Sequence, residues 1–267
     1  MPSGNSVAGG QTATFKLPMG SNYHNAYLTY SGVTLAQMTE IRVVVNGKIL
    51  QRYSATMRDA MNQFDGRDAA AEILTIPFGR YNLKLKQTED ATSLNTASEN
   101  LQTGASITSI NIEIDIDAAA LTPILKLHAE ISPKLKGGAG NVLHVLKRTI
   151  ALPSAGEHQI GDIQRGTATT MLLNRIFFAN DAGDISNIKI MANNVDIHNR
   201  TKALNELMQN NGVRIPQALF HVVDRTENGT GGDLINLMDL DDFRFYLECS
   251  ASMNVVTTAE YIGRLGD

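Results

Sequence analysis

Glu40–Phe64 reads EIRVVVNGKILQRYSATMRDAMNQF and Asn187–Asn211 reads NIKIMANNVDIHNRTKALNELMQNN, and the two segments carry the same order of features. Each reads as a strand, a tight turn, a second strand and a short amphipathic helix. The turns are Asn46-Gly47 and Asn193-Asn194, whose residues tolerate the positive φ of a type I′ turn. Both segments therefore predict a β-hairpin followed by a helix.

The similarity extends outward from these segments. TFKLPMG at Thr14–Gly20 precedes the first, and TIALPSAG at Thr149–Gly156 precedes the second. Further matching steps follow in the same order in each half: Ile76-Pro77 and Ala129-Glu130 in the first, and Ile215-Pro216 and Ala259-Glu260 in the second. Because the chain repeats a mostly β unit and carries no catalytic signature, we expect it to pack and assemble and not to act as an enzyme.

Size and composition describe a folded globular chain. With 267 residues, 43% of them hydrophobic and 19% charged, two domains of about 130 residues are expected. A formal net charge of −4 argues against broad binding to nucleic-acid phosphates. The one cysteine, Cys249, excludes an intrachain disulfide and fits synthesis in a reducing cytoplasm. No apolar run is long enough for a membrane span, and the N-terminus does not read as a secretory signal.

The helices are predicted from apolar residues at helical spacing. In the first copy Met57, Ala60, Met61 and Phe64 fall on one face, with Ser54 as the N-cap. In the second copy Leu204, Leu207 and Met208 mark a shorter stripe, with Asn199 or Thr201 as the cap. Such stripes are typical of a helix that packs on a core, so both are predicted to be buried.

Strands and loops complete the domain prediction. Ile110–Ile116 alternates apolar and polar residues, which is typical of a half-buried antiparallel strand. Thr88–Gly104 is polar and is predicted to be a long surface loop. Many short strands with one short helix per half favour two tandem β-sandwiches. We predict a flexible N-terminal arm at 1–13, a first sandwich at 14–134, a glycine-rich linker at 135–141 and a second sandwich at 142–267.

Catalytic motifs are missing from the sequence. It contains no nucleophile elbow, no phosphate-binding loop and no dinucleotide fingerprint. The six histidines lack the spacing of a metal pair, so they are interpreted as scattered surface or satisfied core residues. They are His24, His128, His144, His158, His198 and His221.

Carboxylate groups supply the candidate binding chemistry. Glu113, Asp115 and Asp117 alternate along a predicted strand and so share one face, where their oxygens suit a hard cation such as Ca²⁺. A solvated face, or pairing with Lys or Arg of a neighbouring strand, explains them equally. Asp181/Asp184 and Asp239/Asp241/Asp242 lie in predicted turns and do not match an EF-hand.

The first 50 residues resemble a known family. KLPMGSNYHNAYLTYSGVTLAQ at Lys16–Gln37 and IRVVVNGKIL at Ile41–Leu50 are similar to the N-terminal part of corticovirus major capsid proteins. EIDIDAAA at Glu113–Ala120 and AEYIG at Ala259–Gly263 resemble later segments of the same proteins. The resemblance implies an all-β fold of two tandem jelly-roll β-sandwiches, a double jelly-roll, which fits the two sandwiches predicted above.

That resemblance also implies a function. It implies a major capsid protein whose homotrimers form pseudo-hexagonal capsomers of an icosahedral shell around an internal lipid membrane and double-stranded DNA. Its partners would be further copies of itself, a vertex (penton) protein and the underlying membrane with its proteins, with no direct nucleic-acid contact. The chain would be no enzyme and would require no cofactor, and the family's association with calcium supports the cation hypothesis without placing it.

Two other functions are compatible with a β-sandwich. A carbohydrate- or receptor-binding module of a virion is the main alternative, although the chain has no Trp and only 6% aromatic residues. A glycosidase would need two carboxylates about 5–10 Å apart in a cleft. Glu113 and Asp115 meet that spacing but are expected on an open face.

Overall fold

The computed structural model describes residues 7–67, 70–80, 86–96, 98–133, 137–161, 163, 166–179, 185–230 and 233–266. The chain divides into two compact units, Met1–Val145 with Arg264–Asp267 and Leu146–Gly263. Both units are built mainly of antiparallel strands, as predicted. Within the described residues, no helix is long and apolar enough to cross a bilayer.

The first unit contains two sheets. One has the strand order β1-β7-β3-β4; in the other, β2 pairs with β5 and β6 on one side and with β8 on the other. The elements are β1 Thr12–Lys16, β2 Asn22–Ser31, β3 Met38–Val45, β4 Lys48–Tyr53, α1 Ala55–Phe64, β5 Ile73–Pro77, α2 Lys86–Asp90, β6 Leu94–Asn95, β7 Ile110–Ile116 and β8 Ile124–Ser132. The predicted alternation in β7 is confirmed, because its four isoleucines are buried and the residues between them are half-buried.

The second unit repeats this plan. One sheet has the order β9-β17-β11-β14, with β15 also paired to β11, and the other has the order β10-β16-β12-β13. The elements are β9 Val142–Leu152, which begins in the first unit, β10 Gly156–Ile160, β11 Leu172–Ala179, β12 Ile185–Ala192, β13 Val195–Thr201, α3 Lys202–Gln209, β14 Phe220–Asp224, β15 Ile235–Asn236, a 3₁₀ turn at Leu237–Asp239, β16 Phe243–Cys249 and β17 Met253–Gly263. Its core joins residues of both sheets, including Ile176, Phe178, Ile188, Ile190, Phe245 and Leu247.

The duplicated hairpin and helix are confirmed. Asn46 and Gly47 have φ of 51° and 78°, and Asn193 and Asn194 have φ of 49° and 62°, so both turns use left-handed backbone. Ser54 caps α1 by accepting the N–H of Met57 at 3.2 Å. Of the two predicted caps for α3, Thr201 is the one used, and it accepts the N–H of Leu204 at 3.4 Å.

The prediction that both helical stripes are buried is partly right for α1 and wrong for α3. Met61 and Phe64 of α1 are fully buried, and Met57 and Ala60 are half-buried. Leu204, Leu207 and Met208 of α3 are 46%, 73% and 43% exposed. The physical reason is that α3 packs through its amide side chains, as described below, and turns its apolar stripe outward.

The predicted loop at Thr88–Gly104 is partly ordered structure. It contains the end of α2 and strand β6, and Thr92 and Asn95 within it are buried. The hydroxyl oxygen of Thr92 accepts the N–H of Arg80 at 2.8 Å, so hydrogen bonding allows this polar segment to pack inside. The remainder, from Ser98 to Gly104, forms turns.

Parts of the predicted arm and linker lie outside the described residues, namely 1–6 of the arm and 135–136 of the linker. β1 begins at Thr12, and the N–H of Gly10 donates to Ile116 O at 3.0 Å, so the described end of the arm is held against the end of β7. In the linker, the amide of Asn100 donates to Ala139 O at 2.7 Å. The predicted domain limits themselves stay a prediction.

Candidate functional site

Two of the three candidate cation ligands lie together on β7. Glu113 and Asp115 face the same side of the strand, and pairing with β3 places Arg42 opposite Glu113 and Glu40 opposite Asp115. The Arg42 guanidinium donates to Glu113 Oε2 at 3.0 Å and to Asp115 Oδ2 and Oδ1 at 2.6 and 2.9 Å. The structure therefore places an arginine between these carboxylates, which is the pairing that the sequence left open.

This network extends to β4 and β1. Arg42 also donates to Glu40 at 2.8 Å, Arg52 of β4 donates to the other oxygen of Glu40 at 2.8 Å, and Thr12 of β1 donates to Asp115 at 2.7 Å. Three carboxylates thus meet two guanidinium groups across four neighbouring strands. The network joins strands that are far apart in sequence through charge-assisted hydrogen bonds.

The pKa shifts follow from these contacts. The hydrogen bond from Arg42 lowers the pKa of Asp115, against the opposing effect of partial burial. For Glu40, burial acts to raise the pKa, but the hydrogen bonds from Arg52 and Arg42 outweigh it and the pKa is lowered. The hydrogen bond to Asp115 in turn raises the pKa of Arg42 above its ordinary value. Asp115 and Glu40 therefore stay ionised and paired with arginine at neutral pH.

A cation fits this arrangement poorly. Calcium takes 6–8 oxygen ligands, whereas here both oxygens of Asp115 and one of Glu113 already accept from Arg42. Asp117 follows the end of β7, and its carboxylate accepts the N–H of Ala119 at 2.8 Å within a local turn. In the described part of the chain, no three His, Cys, Asp or Glu side chains are grouped to hold a metal ion. The geometry favours charge pairing, and the cation site stays a prediction.

The other carboxylates have local roles. Asp181 and Asp184 lie outside the described residues. Asp239 accepts from Asn236 at 2.5 Å, and Asp242 pairs with Arg244 at 2.7 Å. The backbone N–H groups of Asp241 and Asp242 donate to the Asn193 side chain at 3.0 and 3.1 Å, so this turn is tied to the second hairpin.

Four of the six histidines are buried. His24, His144, His198 and His221 are 2%, 5%, 7% and 1% exposed, while His128 and His158 are half-buried. Burial lowers the pKa of His198 to about 3 and that of His221 to about 4, and for His198 the charge of Arg200 adds to the effect. Both rings are therefore neutral at neutral pH and act as packed core groups of the second unit.

Sequence reasoning missed two buried ion pairs of the second unit. The Arg175 guanidinium donates to Glu260 Oε2 at 2.5 Å and Oε1 at 3.1 Å, and both side chains are almost fully buried. Arg214 donates to Asp224 at 2.7 Å in an equally buried pair. The Ala-Glu step that occurs once in each half drew attention to Glu260, but nothing in the sequence identified Arg175 as its partner.

Two family models match this chain. The model of the viral coat protein P2 N-terminal domain matches residues 1–132, and that of the viral coat protein P2 C-terminal domain matches residues 142–265. The major capsid protein P2 of Pseudoalteromonas phage PM2 is 32% identical over 161 residues. That alignment covers 60% of this chain and 57% of the relative, which is less than two thirds of the relative's length.

Solved structures extend the likeness over the whole chain. The crystal structure of the major capsid protein P2 from bacteriophage PM2 matches with a TM-score of 0.87 at 22% identity, covering 100% of this chain and 98% of that one. A chain from Sulfolobus Turreted Icosahedral Virus matches with a TM-score of 0.68 at 10% identity, covering 98% and 89%. A chain of the PBCV-1 virus capsid matches with a TM-score of 0.56 at 10% identity, covering 97% and 91%.

At these identities the structural matches establish the fold and nothing further. The predicted fold class, two tandem jelly-roll β-sandwiches, is confirmed by them. The resemblance drawn from the first 50 residues is confirmed by the two family models, which together reach from residue 1 to residue 265. The chain belongs to the viral coat protein P2 family, the major capsid proteins of corticoviruses.

Proposed function

We propose that this chain is the major capsid protein of a tailless, membrane-containing bacteriophage. The observation that carries the proposal is the match of both units to the two domain models of the viral coat protein P2, over residues 1–132 and 142–265. The role is structural: the chain is no enzyme, and its mechanism is assembly.

The proposed assembly follows from the duplication. Two similar sandwiches per chain let three chains present six similar units, so a homotrimer tiles a surface as a pseudo-hexagonal capsomer. Closed cyclic symmetry makes such a trimer a natural oligomer. Many repeated contacts between capsomers then add up, so that no single contact needs high affinity.

The proposed shell is icosahedral and encloses an internal lipid membrane and double-stranded DNA. The partners are neighbouring trimers, a separate vertex protein and the membrane with its proteins. The net charge of −4 supports an arrangement without direct nucleic-acid contact. Synthesis and assembly take place in the host cytoplasm.

Mass measurement in solution tests this proposal. The monomer is 29.0 kDa, so three chains give 87 kDa by size-exclusion chromatography with light scattering. A trimer supports the capsomer. A monomer at high concentration contradicts it and favours the alternative, a carbohydrate- or receptor-binding module of the virion, which glycan-array binding would then test.

The same mass measurement, made with calcium and with chelator, tests whether the trimer needs a bound cation. Loss of the trimer in chelator would place a cation at the subunit contacts and revive Glu113, Asp115 and Asp117 as ligands. An unchanged trimer would leave Glu113 and Asp115 as partners of Arg42, as their hydrogen bonds indicate.

A further inference from the structure

Counted from their caps, α1 and α3 have equivalent residues at equivalent positions. Asn62 of α1 donates its amide to Thr75 O at 3.0 Å, and Gln209 of α3, at the same position, donates to Val222 O at 2.8 Å. Each helix is therefore fixed by an amide bonded to the backbone beyond it, and both helices are held in the same rotation. Met61 and Met208 occupy the same position, one residue before this anchor.

The environments of that position differ. Met61 is fully buried, whereas Met208 is 43% exposed. In α3 the exposed residues are all apolar, namely Ala203, Leu204, Leu207 and Met208, and the fully buried ones, Asn205 and Gln209, are polar. Met57 and Ala60, the counterparts of Leu204 and Leu207, are half-buried, so the repeat exposes in the second unit positions that are buried or half-buried in the first.

The exposed face of α3 is rigidly held. Asn205 donates to Val222 O at 2.6 Å and accepts from Arg200 at 3.3 Å, and Arg200 pairs with Glu227 at 2.9 Å. A helix fixed by buried amides cannot rotate to hide its leucines without leaving Asn205 and Gln209 unbonded. The outward orientation is therefore a stable property of the unit.

The apolar surface continues beyond the helix. Lys202 Nζ donates to Ala218 O at 3.1 Å, which brings the segment before β14 beside the start of α3. In that segment Leu219 is 62% and Ile215 is 50% exposed. We call Leu204, Leu207, Met208, Ile215 and Leu219 the α3 face. Its area is on the order of 400–500 Å², within the range of the largest apolar patch on a typical monomer.

We propose that the α3 face is the contact by which one copy of this chain packs against the next within the oligomer. This inference rests on the proposed function. Met61, the counterpart of Met208, is covered within its own unit, whereas Met208 is 43% exposed, and the proposed homotrimer supplies a neighbouring copy to cover it. A standard interface buries roughly 800 Å² per partner, and this patch supplies its apolar centre. Apolar centres of this kind are typical of permanent contacts between identical chains.

Cysteine labelling tests this contact without disrupting it. Leu207→Cys is compared with Leu101→Cys, a leucine of the first unit that is 89% exposed and lies outside the α3 face. The native Cys249 is buried and serves as an internal background. Relative to the same variant in urea, maleimide should react with position 207 more than tenfold more slowly in the oligomer, while position 101 reacts quickly.

A charge variant provides the second measurement. Leu207→Asp should reduce the mass from the trimer to the monomer with an unchanged circular dichroism spectrum, and Leu101→Asp should leave the trimer intact. If wild-type protein is a trimer but position 207 reacts as fast as position 101, or Leu207→Asp remains a trimer, this inference is wrong and the proposed function stands. Protection of position 207 that requires lipid vesicles or another protein would also overturn it. A wild-type monomer would instead contradict the proposed function.

Discussion

In the first unit Glu130 is exposed at the end of β8, where it accepts hydrogen bonds from Asn25 at 2.6 Å and Tyr27 at 3.0 Å. In the second unit its counterpart in the repeat, Glu260, is 2% exposed and bonded to Arg175. The helices differ in the opposite sense, since Met61 of α1 is buried and Met208 of α3 is 43% exposed. The comparison teaches that duplication preserved the strands and turns while the side-chain environments diverged.

Replacing the two glutamates one at a time should give the largest difference in stability between the two units. Glu260→Ala leaves the Arg175 guanidinium buried without its carboxylate, so we expect a loss of about 4 kcal/mol in the free energy of unfolding of the second unit. Glu130→Ala, its matched control, should cost about 1 kcal/mol or less because water replaces an exposed acceptor. Urea unfolding followed by circular dichroism measures both. Equal losses for the two variants would show that Glu260 stabilises the folded chain no more than Glu130 does.

The two methionines give the next largest difference. Met61→Ala opens a cavity at a fully buried position and should cost about 3 kcal/mol. Met208→Ala, at a position 43% exposed, should cost well under that, about 1 kcal/mol or less, when protein is dilute enough to be monomeric. Thermal unfolding at low concentration provides the measurement. A large loss for Met208→Ala in the monomer would mean that its face is already covered within one chain.

Acid should act on the second unit through its buried histidines. The pKa of His198 is about 3 in the folded chain and 6.5 in the reference state, so between these values the unfolded chain binds a proton that the folded chain does not. The neutral His198 ring therefore contributes fully to the free energy of unfolding above pH 6.5. This contribution decreases as the pH falls, by about 2 kcal/mol at pH 5. Stability of wild type and His198→Gln at pH 7 and pH 5 checks this. The variant should lose less on acidification, and equal losses would assign the acid sensitivity elsewhere.

The helix caps should show the smallest effect and the closest similarity. Ser54→Ala and Thr201→Ala each remove an acceptor for a first-turn N–H group, at a cost of about 1 kcal/mol. Denaturant titration of the two variants compares them directly. Because the caps are equivalent in the repeat, a difference of more than about 1 kcal/mol would argue that the two helices are not held alike.

The turns, the buried face of β7 and the cap of α1 could be predicted from the sequence, because each depends on residues that are close together in the chain. Asn46-Gly47 and Asn193-Asn194 indicated their turns because few other residues accept positive φ. The isoleucines of β7 indicated its buried face because side chains alternate along a strand. Ser54 could be named as a cap from the residue that a helix start requires.

Contacts between distant residues could not be predicted in this way. Arg42 neutralises Asp115 because β3 and β7 pair in one register, and 73 residues separate the two in sequence. The stripe on α3 correctly indicated a helix with one apolar face, but which face is covered depends on the bonds of Asn205 and Gln209 to Val222. Side-chain periodicity carries no information about those partners.

The hairpin turn at Asn46 has a consequence for how long a particle lasts outside its host. An asparagine followed by glycine is the dipeptide most prone to spontaneous deamidation, in which the glycine nitrogen attacks the side-chain amide carbon. Here that amide donates to Ser106 O at 2.7 Å and accepts from the backbone of Thr108 and Ser109 at 2.8 and 3.3 Å. These bonds restrain the amide and must break before it can turn to the attacking nitrogen, so we expect deamidation of Asn46 to be slower in the folded chain than in the unfolded one. Peptide mass analysis of stored folded and unfolded protein would reveal the difference.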